Sequence, residues 1–380
     1  MRITGLELIE LRLRLREPFV TSTGSQEDRR VLLVRIEGSE GHEGWGECVA
    51  GEDPSYAYET TETAWYVLTQ FLLPPLIGHE VEVPEDLWTP GPVVRGHPMA
   101  KSVAEAAVWD LQAREIGVPL WELLGGTGSR VPVGVSVGLQ AHDEALADKV
   151  EAYLSQGYAR VKLKIEPGRD VAMVRAVRKR VPEAPLSVDA NGSYRLDQLA
   201  RLKELDALDL LMIEQPLGTD ELVDHARLRE MLDTPICLDE SVRSHGDALT
   251  ALELGACDII SIKPGPCGGL AQARAILSLC RERDVPAWCG GMLESGVGRA
   301  HNLAFATLPG LSLPGDISES RRYWERDIVT PEFALDPGGG MIPPTEAGIG
   351  VHPDRRRIRP LLVRSCAFGV VRDPLAEGAA

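Results

Sequence analysis

From Val131 onward the chain alternates short apolar runs with helix-like segments, and this alternation restricts its fold more than any other feature. VPVGVSVGL (131–139) reads as a strand and HDEALADKVEAYLSQ (142–156) as a helix. ARVKLKI (159–165) is the next strand and DVAMVRAVRKRV (170–181) the next helix. LSVDA (186–190), LDLLMIEQP (208–216), TPICLDES (234–241), ACDIISIKPG (256–265), VPAWCGG (285–291) and LSLPGD (311–316) follow, each pair separated by a helical segment. Strands that alternate with helices pair in parallel, because each crossover must span the sheet. Eight such units fit a (β/α)8 barrel of TIM type, or one missing a helix. A doubly wound sheet is the structural alternative, but it usually carries a glycine-rich first turn, which is missing here.

The part before the barrel has another character. Residues 1–15 and 31–37 read as strands, with the Ser/Thr/Gly-rich EPFVTSTGSQ between them as a loop. MAKSVAEAAVWDLQAREI (99–116) reads as a helix stopped by Gly117 and Pro119. The N-terminal part therefore reads as a mixed α+β unit ending near Gly126.

Within the barrel, VKLKI (161–165) poses a question of its own. Side chains alternate along a strand, so Lys162 and Lys164 share one face, roughly 7 Å apart. Taken alone, that is the pattern of a solvated strand face. The neighbouring strands point elsewhere. Lys164, Asp189, Glu214, Asp239 and Lys263 lie at consecutive strand ends, spaced 25, 25, 25 and 24 residues apart. In a barrel those ends form the C-terminal rim, where active sites are built. Three carboxylates from adjacent strands repel one another unless a cation lies between them. As an oxygen-donor set they suit a hard divalent ion, Mg2+ or Mn2+. The two outer lysines then flank that ion. A lysine beside Lys162 and a divalent cation is disfavoured in its charged form, which makes Lys164 the candidate general base. The chemistry this suggests is removal of a proton α to a carboxylate, giving a metal-stabilised enolate. Lys263, across the site, is placed to act as acid, base or fixed cation.

Other function classes find no support. The chain of 380 residues has a net charge of −17, which opposes binding to nucleic acid or acidic membranes. No apolar run reaches the length of a membrane helix, and the charged N-terminal stretch is unlike a signal peptide. Seven scattered cysteines with no CxxC pair fit a reducing cytoplasm. HExxH, GxxxxGK[ST] and GxSxG motifs are absent.

An ordered set of motifs carries a family resemblance: VKLKIEPG (161–168), VDANGSY (188–194), IEQPL (213–217), PICLDES (235–241), IKPG (262–265), WCGGMLESGVGRAHN (288–302) and LPGD (313–316), with AVWDLQAREIGVPLWELLGG (107–126) before them. In these the chain resembles the enolase superfamily, muconate-lactonising subgroup, and within it the o-succinylbenzoate synthase / N-acylamino acid racemase family, over nearly its full length. The resemblance implies a modified (β/α)7β TIM-type barrel over 129–321 beneath an α+β capping domain built from 1–128 and a returning C-terminal segment, 322–380. It implies Asp189, Glu214 and Asp239 as metal ligands and Lys164 and Lys263 as catalytic lysines. It implies supporting roles for Lys162, Asn191 and Glu240. It matches Ser136 and Gly291, Met292 and Leu293 to substrate-contacting positions, and Phe19 to Gly24 to a capping loop over the substrate. A small carboxylate substrate and a homo-oligomer are implied as well.

Two reactions occur in that family. Dehydration of a cyclohexadiene carboxylate to o-succinylbenzoate, a step of menaquinone biosynthesis, uses Lys164 as base and Lys263 as a cation against the ring. Racemisation of N-acyl or N-succinyl amino acids uses both lysines as bases. Racemising members usually carry Arg directly after KPG. Here Pro266 stands there and brings no charge, which weakens the racemase reading more than the dehydratase one. Thr23 also departs from an aromatic common in the capping loop. Dipeptide epimerases usually carry an Asp-x-Asp pair where this chain has GGMLES. A Schiff-base aldolase would have no use for three aligned carboxylates.

Overall fold

The computed structural model describes residues 1–88 and 94–375. Three strands open the chain: β1 (Ile3–Thr21), β2 (Gly24–Gly38) and β3 (Glu43–Cys48). Seven short strands follow: β4 (Gly134–Val137), β5 (Arg160–Lys164), β6 (Leu186–Asp189), β7 (Ile213–Glu214), β8 (Ile236–Leu238), β9 (Ile259–Ile262) and β10 (Ala287–Cys289). The tail adds β11 (Val329–Thr330), β12 (His352–Pro353) and β13 (Leu362–Gly369).

β4 to β10 pair in parallel and in chain order, which excludes the doubly wound alternative. LSLPGD, expected as the eighth strand, forms no regular strand. It closes the ring by isolated bonds: Ser312 N donates to Ala287 O at 3.0 Å, Asp316 N to Cys289 O at 2.9 Å, and Gly134 N to Gly315 O at 2.6 Å. Pro314 has no N–H to give, which interrupts a regular ladder. The barrel strands are buried on both faces, as parallel sheets covered by helices are.

Besides the small β11-β12 pair, a four-stranded antiparallel sheet has the order β13-β1-β2-β3, so the tail closes back on the N-terminal strands. The helix Pro98–Ile116 lies on it, starting with Pro at its first position and ending at Gly117, whose φ of 83° suits a left-handed cap. The segment expected as a loop is in fact strand. β1 and β2 run on to a tight turn at Ser22–Thr23, with Phe19 opposite Gln26. Its Ser and Thr residues sit on an exposed hairpin, and the hydrophobic pattern that marks buried strands is therefore missing. The hairpin rests on the barrel rim, where Leu139 N donates to Val20 O at 2.9 Å and Ser22 Oγ to Ala190 O at 3.1 Å.

Candidate active site at the barrel rim

Strand alternation turns Arg160, Lys162 and Lys164 of β5 to the barrel axis, while Val161 and Leu163 pack among the helices' apolar side chains. Neither lysine is solvated. Lys162 is 3% exposed and Lys164 8%, so the solvated-face pattern does not hold. Lys164 pairs in register with Asp189, and Asp189 with Glu214. Glu214 pairs with Cys237, two residues before Asp239, and Cys237 with Ile259, four before Lys263. That progressive offset is the stagger a tilted barrel needs to keep side chains at one height.

Asp189, Glu214 and Asp239 are all buried, with carboxylate oxygens within 4.8 Å of one another. Three lysines compensate them. Lys162 Nζ lies 3.0 Å from Asp189, 3.0 Å from Glu214 and 2.6 Å from Asp316. Lys164 Nζ donates to Asp189 Oδ2 at 2.6 Å and Lys263 Nζ to Asp239 Oδ2 at 2.7 Å. The two outer lysines thus stand on opposite flanks of the triad. Lys162 is not the bare like charge expected beside Lys164, because three carboxylates balance it.

The electrostatics show what the triad lacks. Burial, then Asp189, push the Glu214 carboxyl well above the usual range. Burial would raise Asp189 too, but Lys164 and Lys162 hold it below. Burial works against the charges of Lys162 and Lys263, yet their acidic neighbours, Asp316 and Asp239 foremost, hold both well above an ordinary lysine. Glu240 Oε2 is buried without a hydrogen bond, and Glu214 Oε2 meets only the Lys162 ammonium, at 3.0 Å. A buried three-carboxylate set with spare oxygen donors is what a divalent cation requires. The residues present fit one.

Asn191 links two expected residues. Its Oδ1 accepts from Lys164 at 2.7 Å and its Nδ2 donates to Glu240 at 2.7 Å. Asn191 therefore steadies Lys164, and its φ of 45° aims it there. Burial, then Asp239, raise Glu240 to about 7.

Above the triad lies a cavity of about 560 Å³ between barrel and cap. Lys162, Lys164, Asn191 and Lys263 reach it from below, as do Ser136 and the loop Gly291, Met292 and Leu293. Phe19 covers it from the hairpin and meets Tyr323 edge-on at 6.4 Å. All these predicted positions converge. Met292 Sδ lies 3.5 Å from Lys263 Nζ, and the Ser136 hydroxyl is buried without a partner. Gly290 and Gly291 do not serve a left-handed turn, the alternative role a glycine pair suggests. A Cβ on Gly290 would meet Lys263 at 2.6 Å, and one on Gly291 would meet the Asp316 carbonyl at 2.4 Å.

Four residues had escaped sequence reasoning. Arg160 pairs with Asp316 at 2.7 Å and stacks on Trp288 at 4.1 Å, which builds the floor under Lys162. Arg160 is the first member of the same alternation, and Asp316 ends the last barrel segment, so both extend the ladder. Tyr56 accepts from Lys263 at 3.0 Å, with its ring 4.8 Å from the ammonium. It sits in the irregular stretch GEDPSYAYE, which has no period to mark it.

Residues 3–125 match the family described as mandelate racemase / muconate lactonizing enzyme, N-terminal domain, and 145–357 match the enolase C-terminal domain-like family. The chain belongs to the enolase superfamily. It is an enzyme of that superfamily, and family membership agrees with the barrel-and-cap architecture found here. It is 49% identical over 351 residues to an o-succinylbenzoate synthase of Geobacillus kaustophilus, covering 92% of this chain and 93% of the relative. It is 48% identical over 353 residues to an N-succinylamino acid racemase of Thermus thermophilus, covering 93% and 95%. Among solved structures, an enolase superfamily member from Listeria innocua superposes with a TM-score of 0.92 at 40% identity, covering 97% of this chain and 99% of that one.

Proposed function

We propose that this enzyme is an o-succinylbenzoate synthase, dehydrating 2-succinyl-6-hydroxy-2,4-cyclohexadiene-1-carboxylate. The observation that carries the reading is the placement of two lysines on opposite flanks of the carboxylate triad, Lys164 on Asp189 and Lys263 on Asp239. Asp189, Glu214 and Asp239 would hold a divalent cation, Mg2+ or Mn2+, which when bound offsets the charge that grows on the substrate carboxylate as its α-proton leaves. Lys164 removes that proton and returns it to the departing hydroxyl on the same face, and the loss of water makes the ring aromatic. Asn191 fixes the Lys164 amine for this work. Lys263 stays a cation against the opposite ring face. The cap excludes water, which strengthens each charge interaction below it.

N-succinylamino acid racemisation is the second reading. The pair of opposed lysines favours it, since each enantiomer offers its α-proton to one face. Pro266 lines the far side of Lys263 without supplying the charge an arginine there would. Dehydration asks Lys263 only to be a cation, and so is ranked first. The unpaired cysteines support a cytoplasmic site of action, and the family resemblance supports a homo-oligomer. No helix among the described residues is long and apolar enough to cross a membrane.

The test is the rate of o-succinylbenzoate formation with Mg2+ and again with EDTA. Fast turnover that EDTA abolishes is expected. No turnover with metal bound would transfer the assignment to the racemase, read as α-proton exchange of N-succinyl amino acids in D2O.

A further inference from the structure

The site described so far accounts for one carboxylate of the substrate. A second cationic group faces the same cavity from the cap. Arg29, on β2 opposite Leu13, lines the 560 Å³ cavity and is only 3% exposed. Its guanidinium makes one hydrogen bond, from Nη2 to the Val49 carbonyl, and its buried Nε has none. Among the described residues no carboxylate lies within ion-pairing distance of it. The acidic groups nearest in effect, Glu47 and Glu294, are already engaged. Glu47 accepts from Ser295 N at 3.0 Å and Gly298 N at 2.9 Å, and Glu294 from Met292 N and Asn302 Nδ2, both at 2.8 Å.

A guanidinium has five donors and cannot shed its proton in a protein. Burying it with donors unspent is costly unless an anion completes it. Its planar fork matches a carboxylate. Arg12 also lines the cavity, but it is half exposed and already has Asp28 at 3.8 Å and Glu52 at 3.5 Å. The cavity therefore has a charged site at each end, the lysine-flanked carboxylate triad below and the buried Arg29 guanidinium above.

We propose that Arg29 receives the distal carboxylate of a dicarboxylate substrate, so that the enzyme selects the succinyl arm by charge. This rests on the functional reading above, in which both candidate substrates carry that arm.

Calorimetry on the full-length, Mg2+-loaded protein tests it with two ligands, o-succinylbenzoate and 2-butyrylbenzoate, in which a methyl replaces the distal carboxylate. The wild type is expected to prefer o-succinylbenzoate by about 10–100-fold. Arg29→Met should erase that preference by weakening o-succinylbenzoate alone, with 2-butyrylbenzoate unchanged within about twofold. Arg29→Gln, which can still donate to Val49, carries the same test should the methionine variant not fold. A preference that survives in the folded variants, or an equal loss for both ligands, overturns the proposal. A wild type that binds both ligands equally overturns it while leaving the functional reading intact. A wild type that binds neither overturns the functional reading itself.

Discussion

At the scale of single residues, strand alternation converts a residue's position in the chain into the direction its side chain takes. Lys162 and Lys164 are two residues apart and both face the barrel axis. The carboxylates Asp189, Glu214 and Asp239 were legible for the same reason, each following a run of apolar residues that fixes the strand. Tyr56 was not, because an irregular loop has no period and its approach to Lys263 depends on how the cap docks. Arg29 was hidden differently, as one charge in the run EDRR on a strand whose burial is set by the barrel opposite. One prediction belongs here. Asp239→Asn removes a negative oxygen from the triad and frees Lys263 of its partner. Titration calorimetry should show Mg2+ affinity reduced by roughly tenfold or more; unchanged affinity would remove Asp239 from the ligand set.

At the scale of elements, the order and direction of the barrel strands followed from β/α alternation, while strand ends and irregular closures did not. LSLPGD lines the last gap of the ring without a ladder, since proline withholds a donor and the segment bridges two neighbours by single bonds. The hairpin Ile3–Thr21 to Gly24–Gly38 read as a loop at its tip, because polar side chains on a projecting ribbon leave no apolar pattern. The same closure gives a test. A methyl group at Gly291 would lie 2.4 Å from the Asp316 carbonyl, so backbone must shift. Gly291→Ala should lose about 1–3 kcal/mol of stability, as overpacking does. Differential scanning calorimetry would show this as a melting temperature lower by about 1–4 degrees in a chain of 380 residues, whereas an unchanged melting point would mean that the closing segment yields freely.

At the scale of the whole molecule, the active site exists only where cap and barrel meet, and buried carboxyls tie the two together. Glu105, on the helix Pro98–Ile116, accepts at one oxygen from Trp109 Nε1 at 3.0 Å and from Ala271 N, at the start of a barrel helix, at 2.8 Å. Burial raises its carboxyl to about 7 from a usual value of 4.5. Between those values the folded protein holds a proton that the unfolded chain has lost, so this contribution to stability falls as pH rises from 4.5 through 7. Glu105→Gln keeps an oxygen for both hydrogen bonds without the buried charge. Denaturant midpoints should therefore favour the variant at pH 8 and converge with wild type near pH 4.5; a pH-independent gap would refute the linkage. The joint was invisible in the sequence because it pairs residues more than 160 positions apart. The central claim is that this assembly aims Lys164 at an α-proton beside a metal-holding triad. Turnover of the cyclohexadiene substrate by Lys164→Ala, with Mg2+ binding followed by calorimetry on the same sample, tests it most directly. The account predicts a loss of about 10²–10⁴-fold with the metal still bound, and a near-native rate in that variant would contradict it.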